Sequence, residues 1–288
     1  MFSKILKHDI KSIGRFWWII AISTVGISIL GSLALRFVLE ISEANLDSTL
    51  IVTMATIFST LFSMLSIFAI VASMLVTQIL VYLRYYKHFF TDEGYLTFTL
   101  PVSRRQLLLS KTLNAFIWLC AHTVLMIVCF LIFIAIAPTA ADGPLVIDVV
   151  TSVPDIFGFI WDGVEAWTIV YTVELLLMLI LSTLFSINLA HMCITIGAVV
   201  AKKMKLLAAI GIYYGVNIVI SSILPTVFYA SLFSLIEGLG EILANAPEQV
   251  IFAVIAIILL IICLIMAAAV FLMYSITLDK LERRLNLA

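Results

Sequence analysis

Few side chains in the long apolar stretches of this sequence could do chemistry: His122, His191, Asn217 and Glu174 stand out. Counted at about 1.5 Å per residue from the ends of their stretches, His122, His191 and Asn217 fall at a similar depth and could form one intramembrane polar layer. Two imidazoles at one depth are the residue types of a metal or proton site. No carboxylate or thiolate stands at ligand spacing beside them, however, and hydrogen bonding between helices accounts for them more simply. No metal is expected. Glu174 sits about two turns inside its stretch, where an acid is either a snorkelling anchor or part of an outward-facing cavity. Cys120, Cys129, Cys193 and Cys263 all lie in apolar stretches with no C-x-x-C pair, so they read as small buried apolar groups and no disulfide is expected. Neither H-E-x-x-H nor G-x-S-x-G occurs, and Glu174 has no neighbouring acid. The nucleophile, metal ligands or paired acids of an intramembrane protease or lipid hydrolase therefore do not assemble, and no catalytic residue is assigned. The phosphate-cradling G-x-x-x-x-G-K-[ST] loop is also missing, so this chain does not hold ATP phosphates in that manner.

A second group of residues points to recognition rather than catalysis. In the polar stretch 84–111, Asp92 and Glu93 precede Gly94, Tyr95, Leu96, Phe98 and Leu100, and Pro101 ends the segment. Acids in a first turn suit a helix N-terminus, and the apolar residues that follow are too many for an idle polar loop. Ser103 and Gln106 fit a capping box ahead of Leu107, Leu108 and Leu109, which predicts a helix starting at Ser103. A short amphipathic helix held between two longer ones fits a groove in a partner protein, or else packs on its own helices or on lipid. Asp92, Glu93, Arg104 and Arg105 are then candidate charged partners at its rim.

The elements that must carry these residues are transmembrane helices. Of 288 residues, 64% are hydrophobic and only 11% charged, which excludes a soluble fold because lipid must supply much of the surface. Windows of about 19 residues place six spans at 16–38, 50–83, 112–137, 167–201, 206–224 and 250–277. Lys4, Lys7, Lys11 and Arg15, then Arg84 to Lys111, then Lys202, Lys203 and Lys205, then Lys280, Arg283 and Arg284 occupy alternate connections, and acids dominate the others. By the positive-inside bias both termini are expected in the cytoplasm, with 84–111 a cytoplasmic loop and 138–166 and 225–249 outer loops. The second and fourth spans exceed the bilayer and must tilt or project, the second toward the cytoplasm. Residues 1–15 read as a basic amphipathic helix lying on the inner leaflet, or as a solvated leader. The first apolar run is itself long enough to span, so no cleavable signal peptide is expected. Pro225, Gly238 and Gly240 predict two short re-entrant helices before the sixth span, and Gly143, Pro144, Pro154, Gly158 and Gly163 predict short helical pieces in the other outer loop. The fold class is an all-α membrane protein, read as one domain over 1–288.

Glu93-Gly94-Tyr95-Leu96, then three residues, then Leu100-Pro101-Val102-Ser103-Arg104, with Ser110-Lys111 beyond, resembles the cytoplasmic loop of ABC-2 type exporter permeases. Tyr95 stands where many members carry Thr, and Ser110-Lys111 where many carry Gly-Lys. The basic N-terminal helix and the hydrophobic insert before the sixth span are also similar to that family, so the resemblance covers the whole chain. It implies that the Asp92 to Arg105 segment is a coupling helix seated in a groove of a separate ABC ATPase subunit, which binds ATP and Mg. This chain would bind no cofactor. It further implies a second permease, the same chain or a related one, in the plasma membrane of a bacterium, exporting a peptide, drug-like or lipid-like substrate. The bilayer is a partner and no nucleic acid is expected. A stand-alone secondary transporter is the nearer alternative, but it should show similar halves and helices interrupted at midplane, whereas the predicted breaks lie toward the outside.

Overall fold

Runs of apolar residues with few breakers, in a medium that cannot hydrate a bare backbone, form long helices. The computed structural model describes residues 2–43, 49–99, 101–136, 139–140, 143–144, 166–201, 204–243 and 247–283. Its helices are α1 (Phe2–Glu43), α2 (Thr49–Phe90), α3 (Asp92–Thr99), α4 (Arg104–Ile136), α5 (Ala166–Val200), α6 (Lys205–Leu243) and α7 (Glu248–Arg283). Between α4 and α5 the antiparallel pair β1 (Thr139–Ala140) and β2 (Gly143–Pro144) is described. The helical pieces expected elsewhere in 138–166 lie outside the described residues. Among the described residues, six helices are long and apolar enough to cross a membrane, over Phe2–Val38, Val52–Phe90, Arg104–Ile136, Trp167–Val200, Lys205–Ser222 and Gln249–Arg283. Phe58, Phe68, Leu175, Leu264 and Phe271 all point outward. Such a surface is stable only against lipid, so the chain is a multi-pass membrane protein.

Two expectations change. The basic N-terminal segment is not a separate helix: α1 runs unbroken from Phe2 through the first span. Lys4, Lys7, His8, Lys11 and Arg15 are exposed along one side of it, while Ile13 and Gly14 are buried. No breaker separates the two parts, and a Cβ on Gly14 would lie 3.1 Å from the Trp118 ring, so packing carries the helix straight through. The second change is at Pro225, which lies inside α6 rather than ending it, and Gly238 and Gly240 do not interrupt that helix either. One proline deletes one backbone hydrogen bond, and in an apolar helix the flanking turns hold the ladder; Thr226 Oγ1 donates to the Ser222 carbonyl at 2.7 Å. The side chains of 227–243 lie outside the described residues.

The chain packs as two units, one of Ser3–Val81 and Leu113–Gly163, the other of Met1–Phe2, Tyr82–Thr112 and Val164–Ala288. In the first, Ile70, Cys129 and Phe133 form a core with Val25, Leu35 and Leu125 around it. Small residues let the backbones approach there: Ser28 Oγ donates to the Cys129 carbonyl at 2.7 Å, and Gly31 faces Ser66 and Phe133 with no room for a Cβ. In the second unit α5 packs on both α6 and α7 around Leu189, Cys193 and Met273. Gly197 lets α5 approach α6 so closely that a Cβ would lie 2.5 Å from the backbone of Ala209.

Candidate functional site

The segment from Asp92 to Arg105 is built from the base up. Gly94 is required where it stands: its N–H donates to the Thr91 carbonyl at 2.7 Å, and a Cβ would lie 2.8 Å from the Phe89 carbonyl oxygen. This close approach turns the chain from α2 into α3 within one residue. Asp92 and Glu93 then fall in the first turn of α3, as the sequence predicts, with both side chains exposed. Ser103 is the N-cap of α4, its Oγ accepting from the Gln106 N–H at 3.4 Å.

The apolar residues of α3 divide between two directions. Phe98 turns inward against Phe89, with ring centroids 5.7 Å apart, and the Arg104 guanidinium lies 5.4 Å from the centre of the Phe98 ring. Leu96 turns outward and is 74% exposed. The Tyr95 side chain and Leu100 lie outside the described residues, and Pro101 is exposed in the connection to α4. Arg104 is half-buried, and its Nη1 donates to the Leu281 carbonyl and, at 2.9 Å, to the Glu282 carbonyl. It therefore ties the start of α4 to the last described turn of α7. Arg105 is exposed, and its carbonyl accepts from the Tyr274 hydroxyl of α7 at 3.2 Å. Behind α3, His88 Nδ1 lies 2.8 Å from Lys111 Nζ and His88 Nε2 lies 3.6 Å from Glu93 Oε2. The result is a short helix fixed at its base, presenting Asp92, Glu93 and Leu96 to the outside.

The four intramembrane polar residues do not share one environment. His122, in the first unit, is fully buried, with Nε2 3.0 Å from Ser73 Oγ and Nδ1 3.0 Å from Thr77 Oγ1. Ser73 donates its own proton to the Ile70 carbonyl, so it accepts from Nε2–H, and Thr77 donates to Nδ1. Both ring nitrogens are used. His191, Asn217 and Glu174 belong to the second unit. His191 is 1% exposed and stacks on Tyr85 at 3.9 Å, yet neither of its nitrogens has a hydrogen-bond partner. Asn217 Nδ2 donates to the Tyr213 carbonyl one turn back, at 3.0 Å. Glu174 is 8% exposed and its Oε2 is without a partner. No group of three His, Cys, Asp or Glu able to hold a metal occurs among the described residues.

Tyr82, Tyr85 and Phe89, at spacings of three and four residues, mark one face of α2 that hydropathy alone does not single out. Tyr85 hydroxyl meets Thr195 Oγ1 at 2.9 Å and Tyr82 hydroxyl meets Ser186 Oγ at 3.3 Å, tying α2 to α5. That periodicity was the available signal. No family model matches the sequence, and no curated protein or solved structure matches it significantly.

Proposed function

We propose that this chain is the permease subunit of an ATP-driven exporter of the ABC-2 type, working with a separate ATPase that binds ATP and Mg. The observation that carries this reading is the form of α3. It is a short helix between two spans, held from behind by Phe89, Phe98 and Arg104, with two acids and Leu96 left outward. An exposed leucine rimmed by acids on a fixed base suits insertion into a groove of a partner. A rigid base also transmits force, because Arg104 and the Arg105 carbonyl join the α3–α4 junction to the end of α7.

The sequence supports the same reading from two sides. No phosphate-cradling loop occurs in it, which agrees with a separate chain hydrolysing ATP, and the positive-inside bias of its lysines and arginines favours a cytoplasmic α3 and cytoplasmic termini. The chain then acts beside a second permease, identical or related, in a bacterial plasma membrane. Closure of the ATPase pair pushes on α3, and the apolar spans carry an amphipathic peptide, drug-like or lipid-like substrate outward.

The test is co-purification, in mild detergent, with the P-loop ATPase encoded nearest to this chain. Leu96→Asp changes an exposed residue and should abolish association while the permease elutes unchanged on gel filtration. Absence of association with the native chain would favour a stand-alone secondary transporter.

A further inference from the structure

Among the described residues, Glu174 is the buried acid whose surroundings leave a carboxyl oxygen without a partner. A buried carboxyl oxygen without a partner is costly unless a cation or a donor arrives to complete it. Two donors nearby are committed elsewhere: Tyr171 hydroxyl donates to the Phe252 carbonyl at 2.8 Å, and Cys263 Sγ is directed at the Glu174 backbone carbonyl at 4.0 Å. Trp167, Tyr171 and Glu174 lie four and three residues apart and so share one face of α5. Phe252 of α7 stands against that face, its ring centroid 6.4 Å from Trp167 and 6.5 Å from Tyr171. Three half-buried rings thus lie on the N-terminal side of an orphan carboxyl.

Aromatic faces attract cations, a carboxyl oxygen completes the charge, and together they are the chemistry that recognises an ammonium group. The adjoining face of α5 exposes Val170, Val173 and Leu177, a surface for a hydrocarbon tail. We infer that Glu174, with Trp167, Tyr171 and Phe252, binds the ammonium head of a cationic amphiphile whose tail lies along α5. The site goes beyond the exporter reading and needs no ATPase, so its test is separate from that of the α3 docking.

The full chain in nanodiscs of zwitterionic lipid is titrated calorimetrically with octyltrimethylammonium, using protein-free nanodiscs as the blank and octyl glucoside as the neutral amphiphile. The expected result is saturable binding of the cation only, weakened about tenfold or more by Glu174→Gln. Phe252→Leu keeps the carboxyl and should weaken the cation in the same direction, which covers the case that Glu174→Gln does not fold. Binding no greater than the blank, equal binding of octyl glucoside, or undiminished affinity in a folded variant overturns the inference.

Discussion

His122 and His191 are the same side chain in two apolar helices, and they end in opposite states. On α2, Ser73 and Thr77 stand one turn apart and bracket the His122 ring, so each nitrogen meets a hydroxyl. Opposite His191 the same helix offers Tyr85, whose hydroxyl is committed to Thr195, so the two rings stack and the imidazole nitrogens remain unpaired. Thr195 itself donates to the His191 carbonyl at 2.7 Å, which fixes the direction of that bond and leaves nothing for the ring. Glu174, in the same unit as His191, is incomplete in the same way. A polar residue at membrane depth therefore takes its role from the facing helix, not from its type or depth. The two histidines differ in this way although orphan groups occur in both units, Trp17 Nε1 and Trp118 Nε1 being without partners in the first.

That contrast can be tested from its strongest point down. Gly197→Val sets a side chain against the Ala209 backbone, which cannot rotate away, and should cost more than about 3 kcal/mol, read as lost thermal stability in detergent. Gly31→Val sets a side chain against the Ser66 Cβ, which cannot rotate clear, and should cost a comparable amount in the same assay. His122→Leu removes two hydrogen bonds between helices and leaves the Thr77 hydroxyl to find a new acceptor, while Ser73 keeps the Ile70 carbonyl, at about 1–3 kcal/mol. Arg104→Ala should cost about 1–2 kcal/mol and raise hydrogen exchange in the last described turn of α7, since it removes the bonds to the Leu281 and Glu282 carbonyls and exposes Phe98. His191→Phe keeps the stack on Tyr85 and removes two orphan nitrogens, so stability should change by less than about 0.5 kcal/mol or rise. If His191→Phe cost as much as His122→Leu, the contrast would fail.

The sequence made some of this visible and concealed the rest, for physical reasons. Six spans follow from composition alone, because the hydrophobic signal is summed over many residues. The starts of α3 and α4 were legible because first-turn acids and an N-cap serine are local chemistry, written in adjacent residues. The path through Pro225 was not: proline reads as a stop in water, while in an apolar helix the cost of an open backbone outweighs one missing bond. The inward turn of Phe98 and the tie made by Arg104 were hidden as well, since Phe89, Leu281 and Glu282 are distant in sequence or unremarkable in type. Arg104 looked like a rim charge because sequence gives charge without direction.

The most direct test of the proposed coupling role is ATP hydrolysis by the P-loop ATPase encoded nearest to this chain, in proteoliposomes with the native chain, with the Leu96→Asp chain and without either. The native chain should raise the rate, and Leu96→Asp should return it to the value without this chain. Equal rates in all three, or full stimulation by the Leu96→Asp chain, would contradict that role.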